Sequence, residues 1–383
     1  MRDTGRDPHS TTEHVRVVVI GGGPAGLATS RELGARGVEH VVLERGDVAA
    51  YTWTHLYDSL TLHTGKHLSG LPGLKLPRAT PLFPPRAEFV AYLQDYARRF
   101  AVPLRTNWPV ARVTRQGSGW RVEGERGVQT CDAVVIATGI VANPRIPEFA
   151  QREQFRGRVM HSRGYLRPGP FAGQRVLVVG VGNSGGEIAS ELARTGVRVT
   201  VAVRSGANVV PRAIAGIPVQ YIARQVRRLP RPVQRVVVAA VAKLGELRRG
   251  PPVLPRPAHS ALEAIPLIGF HLVDAIRDGS VAVRPGVAAF TTDGVRFTNG
   301  VEESFDTVIL ATGFAPALAP LGELVQTDAK GFALRTDRVT SANQPNLYFV
   351  GHNYDAAGGL YNIATDAPLV ADRIVATFAG QVA

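Results

Sequence analysis

The sequence predicts an α/β fold made of two strand–glycine loop–helix units, the second inserted into the first, and three observations carry that prediction. An apolar run, Val15 to Ile20, enters Gly21-Gly22-Gly23-Pro24-Ala25-Gly26 and then a helix-like stretch. A second apolar run enters Gly180-Val181-Gly182-Asn183-Ser184-Gly185 in the same way. A buried-strand pattern ending in Ala-Thr-Gly also occurs twice, at Asp132 to Gly139 and at Asp306 to Gly313. The glycine loops overlay at a constant offset of 159 residues, so that Gly21, Gly23, Gly26, Glu32, Gly37 and Arg45 fall on Gly180, Gly182, Gly185, Glu191, Gly196 and Arg204. Two Rossmann-like dinucleotide-binding domains follow, the second interrupting the first.

At 383 residues, 45% of them apolar, the chain has material for two or three domains. Met1 to His14 is polar, lacks an apolar signal core and reads as a disordered N-terminus. No run reaches the roughly 20 apolar residues of a membrane span, and a lone Cys131 rules out an internal disulfide or a dithiol pair. A cytoplasmic location is expected.

In chain order, the first loop puts backbone N–H groups and a positive helix end where a pyrophosphate fits. The next strand, His40 to Leu43, ends in Glu44, placed to accept from ribose hydroxyls. Ala49 to Pro85 has no period and reads as a site-lining loop, Ala87 to Phe100 as an amphipathic helix, and Val110 to Val122 as a small meander. In the second unit Val203 stands where Glu44 would be, with Arg204 beside it. That exchange favours a 2′-phosphate, so the first unit is assigned to FAD and the second to NADPH. The expected domains are 15–165 with 303–383 for FAD and 166–302 for NADPH, the latter carrying a basic lid-like insertion at 207–262. The final helix is expected from about Thr365, its N-terminus near Asp366 facing the flavin.

Between the units, Phe155, Gly157, His161 and Tyr165 follow the spacing F-x-G-x-x-x-H-x-x-x-Y. With both loops and both Ala-Thr-Gly strands, the chain resembles the class B flavin-dependent monooxygenases, most closely the YUCCA-type enzymes and their bacterial relatives. LERGDVAAYTW, YDSLTLHTGKHLSGLP, GNSGGEIA, VRSGANVVPR and VILATGF carry the likeness. The resemblance implies hydride transfer from NADPH to FAD, addition of O₂ at flavin C4a and delivery of one oxygen to a small organic substrate. It implies catalytic roles for His63, Thr64 and Asn183. Cofactor contacts are expected from Gly21, Gly23, Pro24, Ala25, Gly26, Glu44, Arg45, Thr52, Trp53, His63, Val110, Ala137, Thr138, Gly139 and Asp366 in the first unit. Gly180, Gly182, Asn183, Ser184, Gly185, Arg204, Ser205, Ala311, Thr312 and Gly313 complete the set. His161 is expected to be a hinge or packing residue between the domains, and no metal site is expected.

His63, where amine-oxygenating relatives carry Asn, favours oxidative decarboxylation of an aryl-pyruvate. N- or S-oxygenation is the alternative, and a reductase serving a protein partner is a second one. From Arg204 to Ala258 eleven Lys or Arg stand against Glu246 alone. This segment reads as a channel lid, with a membrane surface or an acidic carrier as other uses. Nucleic acid is disfavoured because aromatics are nearly absent there.

Overall fold

The computed structural model describes residues 12–258, 265–353, 355 and 358–380. The first unit is built on β1 (Thr12–Ile20), α1 (Pro24–Ala35), β2 (His40–Leu43), the single turn α2 (Tyr51–Thr54), α3 (Arg86–Arg99), β3 (Leu104–Arg105), β4 (Val110–Gln116), β5 (Gly119–Gly124) and β6 (Gly127–Ile136). Its strands run in the order β3-β2-β1-β6-β5-β4. Val17 and Val19 face a helical layer, while Val18 and Ile20 face Trp108 and Trp120 beneath the meander. Burial on both faces explains the unbroken apolar run. β1 begins at Thr12, pairing with Val128, so the expected disordered terminus is corrected at 12–14; residues 1–11 lie outside the described residues.

The second unit comprises β7 (Arg158–His161), β8 (Arg175–Val179), α4 (Asn183–Arg194) and β9 (Arg198–Val203). The insertion follows, with β10 (Val209–Val210), β11 (Ala213–Ile214), β12 (Ile217–Pro218), α5 (Val219–Val226), α6 (Arg231–Arg249) and β13 (Leu267–Ile268). Then come α7 (His271–Arg277), β14 (Val281–Pro285), the meander β15 (Val287–Phe290), β16 (Gly294–Phe297) and β17 (Glu302–Ser304), and β18 (Thr307–Leu310). The core sheet is parallel in the order β14-β9-β8-β18-β7. The chain returns to the first sheet with β19 (Leu347–Phe349) on β6 and closes with α8 (Gly359–Gly380) against α1.

Sheet membership corrects the expected boundaries. The expected boundaries put β7 and β18 with the FAD unit and cut β17 after Glu302, yet β7 and β18 pair inside the second sheet and β17 pairs with its meander. An Ala-Thr-Gly strand is the exit strand of its own unit, so the second repeat marks departure from the second unit. The two crossings lie side by side as an antiparallel ribbon. Arg145 N–H donates to Gly313 O at 3.0 Å, Ala315 N–H to Asn143 O at 3.0 Å and Ala317 N–H to Gly139 O at 3.2 Å. The signature residues Phe155 to Tyr165 therefore belong to the second unit's edge. Gly157 is required there because a Cβ would stand 2.3 Å from the Phe155 ring and 2.8 Å from Asp306 O.

The last helix also departs from expectation. It is expected from about Thr365, but α8 starts at Gly359 and runs through Pro368, since Leu360, Ile363, Ala367, Val370 and Ile374 are all buried. That burial offsets the backbone hydrogen bond that Pro368 cannot donate.

Just after β19, His352 is buried against Phe332 and Phe349. Burial and the nearby Arg335 charge push its pKa down to about 4. Above the unfolded value of about 6.5 its contribution to stability is complete. As pH falls from there towards 4, the unfolded chain takes up a proton that the fold excludes, costing at most about 3 kcal/mol. Denaturant titrations between these pH values should show that loss, and His352→Leu should flatten the slope.

Candidate active site

Both glycine loops make the same turn. Gly21 and Gly180 have φ of +109° and +104°, and a Cβ on either would lie 2.6 Å from the carbonyl oxygen of Ala137 or Ala311. A Cβ on Gly26 or Gly185 would lie 1.8 or 2.1 Å from Gly21 O or Gly180 O, so each helix packs directly on its loop. Above Gly23 and Gly182, the residues preceding α1 and α4, a Cβ would meet nothing within 4 Å, as at Gly139 and Gly313. Neither helix has a side-chain cap. Its first N–H groups are thus left for an anion, which fits a dinucleotide pyrophosphate. Pro24 and Ala25 open α1 and are buried; Ser184, half-buried, follows Asn183 in α4.

The strand ends after β2 and β9 differ in chemistry. Buried Glu44 accepts from Gly22 N–H at 2.8 Å and from Gly46 N–H at 3.0 Å. Each oxygen keeps lone-pair capacity for a hydroxyl. Val203 is buried and apolar, while Arg204 and Ser205 are exposed beside it. Arg45 is exposed and donates to Thr52 Oγ1 at 3.4 Å; Trp53 packs edge-on to Phe89 at 4.9 Å, and half-buried Val110 opens β4.

Several side chains have structural partners. Thr138 Oγ1 donates to Ala317 O at 2.8 Å and Thr312 Oγ1 to Arg145 O at 2.6 Å, so each threonine ties its strand to the opposite crossing. Asn183 donates to Pro266 O at 3.1 Å and accepts from Ile268 N–H at 2.8 Å; this anchors the lid's return strand β13 to α4. Asp366 is corrected from a helix N-terminus to a buried position about two turns inside α8, accepting from Arg338 at 2.7 Å and Asn353 at 2.6 Å. His161 accepts the Arg163 N–H at Nδ1 and donates from Nε2 to Gly313 O at 3.0 Å. Burial lowers its pKa, and acceptance at Nδ1 requires the neutral ring, so it clasps the ribbon in that form.

A cavity of about 640 Å³ opens between the long loop of the first unit, the start of α4 and the insertion. His63, Thr64 and Asn183 reach it together, opposite apolar side chains of α5, α6 and α7 such as Ile222, Val226, Val237 and Val273. Among the described residues Lys243, Arg256 and Arg277 also line it, with Asp355 as the acidic one. The lid is held by arginines of the basic segment: Arg227 pairs with Asp355 at 2.8 Å, Arg224 lies over the Tyr361 ring at 4.6 Å, and Arg212 lies over Phe83 at 4.5 Å while donating to Leu62 O at 2.9 Å. Part of the basic charge thus serves the fold itself.

Sequence reasoning missed Glu187. Its carboxylate accepts from His63 Nε2 at 2.7 Å and from the Tyr57 hydroxyl, joining α4 to the first unit's loop. Burial pushes the carboxyl upward, but the His63 and Tyr57 donors and the Arg212 charge outweigh it and hold Glu187 below the ordinary range. Burial and the adjacent Glu187 charge keep Tyr57 well above its usual value and protonated. The signal was available: the residue at the repeat offset in the first unit is Ala28.

Two Rossmann-like units with bare helix ends, a ribbon between them and a covered cavity at their junction define a two-dinucleotide flavoprotein oxidoreductase. A family model described as flavin-binding monooxygenase-like matches residues 14–335, and the chain belongs to that family. Indole-3-pyruvate monooxygenase YUCCA1 of Oryza sativa subsp. japonica is 39% identical over 310 residues, covering 78% of this chain and 76% of the relative. Indole-3-pyruvate monooxygenase YUCCA6 of Arabidopsis thaliana is 35% identical over 315 residues, covering 78% and 75%. The flavin-containing monooxygenase structure from Stenotrophomonas maltophilia aligns with a TM-score of 0.77 at 26% identity, over 96% of this chain and 99% of that one. The chain is a flavin monooxygenase using FAD and NADPH. Among the described residues no helix is long and apolar enough to cross a membrane.

If Glu44 holds the flavin ribose, Glu44→Ala should strip flavin, the Gly22 and Gly46 N–H groups losing their acceptor as well. The flavin-to-protein absorbance ratio of the purified variant should correspond to binding weakened about tenfold or more.

Proposed function

We propose that this monooxygenase carries out oxidative decarboxylation of an aryl-substituted α-keto acid, with O₂ as co-substrate. The observation that carries the reading is the junction cavity: apolar walls suit an aromatic ring, and among its described lining residues cationic side chains outnumber carboxylates three to one, which suits an organic anion better than an amine. The printed activity of the YUCCA relatives, indole-3-pyruvate monooxygenase, supports the same substrate class.

In this reading FAD lies on the first glycine loop with its ribose at Glu44, and NADPH lies on the second with its 2′-phosphate near Arg204. The bound cofactors supply the hydride and the activated oxygen. What the chain supplies is placement. The α1 and α4 ends hold the pyrophosphates, the ribbon with His161 sets the angle between the units, and His63 and Thr64 form the cavity wall nearest the junction. The lid formed by α5 and α6 excludes water, which would otherwise discharge the activated oxygen without product. N- or S-oxygenation is the second reading, favoured by no particular residue of the cavity.

Two measurements test these assignments. Arg204→Ala should raise KM for NADPH about tenfold to a hundredfold, with NADH use little changed; equal effects on both would remove Arg204 from the 2′-phosphate site. Incubation with indole-3-pyruvate, NADPH and labelled O₂ should release CO₂ and give an acid carrying one labelled oxygen. Oxygen addition without CO₂ loss would favour N- or S-oxygenation, and reduction with no label in any product would favour a reductase.

A further inference from the structure

The helix that covers the cavity is apolar on more than one side. Val237, Val238 and Val241 of α6 line the cavity. Pro232, Val233, Val236 and Ala240 recur at three- and four-residue spacing along another side of the same helix, and all four are exposed. Val236 is 68% exposed and Val233 43%, with Leu229 just before the helix at 42%. A helix serving only as a cover would turn polar side chains to water on its far side. The polar residues that accompany this strip are cations instead. Arg231 and Arg235 on α6, and Arg228 on the turn before it, are exposed, and none of the three pairs with a carboxylate among the described residues. Arg227, by contrast, is tied to Asp355.

We propose that the outward side of α6 docks on an anionic lipid surface, the helix lying in the plane of the headgroups. The docking does not depend on which substrate the cavity takes. Charge complementarity selects the occupant. Arginine stems lie along an apolar strip while their guanidinium groups reach lipid phosphates, so one helix side satisfies both parts of a membrane surface. A second copy of the chain would set the same three arginines against one another. A nucleic acid would meet valine and alanine where base stacking needs aromatic rings. An acidic protein would answer the charges, but α6 offers it no aromatic anchor of the kind that holds protein partners. Among the described residues no helix is long and apolar enough to cross a membrane, so the contact is a surface one. The side lined by Val237 and Val241 stays turned to the cavity, which puts the cover of the cavity against the lipid.

Co-sedimentation of the flavin-loaded enzyme with vesicles tests this without substrate. Vesicles of phosphatidylcholine with about one third phosphatidylglycerol should bind it, phosphatidylcholine alone should bind it at least about tenfold more weakly, and salt at about 0.5 M should release it. The double variant Arg231→Gln/Arg235→Gln should weaken binding about twentyfold. Val236→Glu should weaken it about tenfold or more, because a carboxylate then enters the apolar strip. Both variants should keep the flavin content and thermal stability of the parent, since these side chains are exposed. Equal binding to neutral and anionic vesicles, or anionic binding unmoved by either variant, would overturn the proposal. Retention by soluble polyglutamate with no binding to vesicles would assign the face to an acidic protein. A dimer in light scattering that Val236→Glu dissolves, again without vesicle binding, would assign it to a second copy. Either result would overturn the lipid assignment.

Discussion

The arrangement depends on one steric constraint, met twice. A helix that must sit directly on the carbonyl of a preceding turn leaves no room for a side chain at Gly26 or Gly185. Because the helix is held there, its first N–H groups face open space above Gly23 and Gly182 and have no acceptor from the chain. Unmet donors at a helix end make an anion site at low reorganisation cost, since the dipoles are already oriented. Two such ends, carried on two sheets, suit a molecule that takes two dinucleotides.

What brings them to one place is the junction. The Ala-Thr-Gly threonines, Thr138 and Thr312, each bond the opposite crossing, so the repeated motif closes the ribbon as well as ending its strand. His161 adds a bond from the second sheet's edge to Gly313, and Glu187 binds His63 and Tyr57 from the far side. These contacts flank the cavity. The insertion then covers it, held by Arg212, Arg224 and Arg227, which turns part of a surplus of charge into tethers.

The fold was legible where the physics is local. Unbroken apolar strands, glycine spacing and the repeat offset depend on residues close in sequence, and the exchange of Glu44 for Val203 and Arg204 could be read from the overlay alone. Unit boundaries were less legible, because a repeated strand looks the same whether the chain is leaving its own unit or entering another. The start of the last helix was placed about two turns late, and only tertiary burial along α8 shows that the helix begins at Gly359 and that Asp366 lies inside it. At the site, His63 was visible through resemblance, but its partner on α4 is 124 residues away, a separation no spacing rule spans. The same overlay held the clue in Ala28 against Glu187, a charge where the first copy has a methyl group.

The central claim is that both nucleotides converge at the His63 wall of the covered cavity. A crystal structure of the flavin-loaded enzyme with NADP⁺ tests it most directly. The account predicts FAD on the Gly21 to Gly26 loop with its ribose at Glu44, the 2′-phosphate beside Arg204, and both reactive rings at the end of the cavity formed by His63 and Thr64. Nucleotides on the opposite loops, or rings meeting away from that cavity, would contradict it.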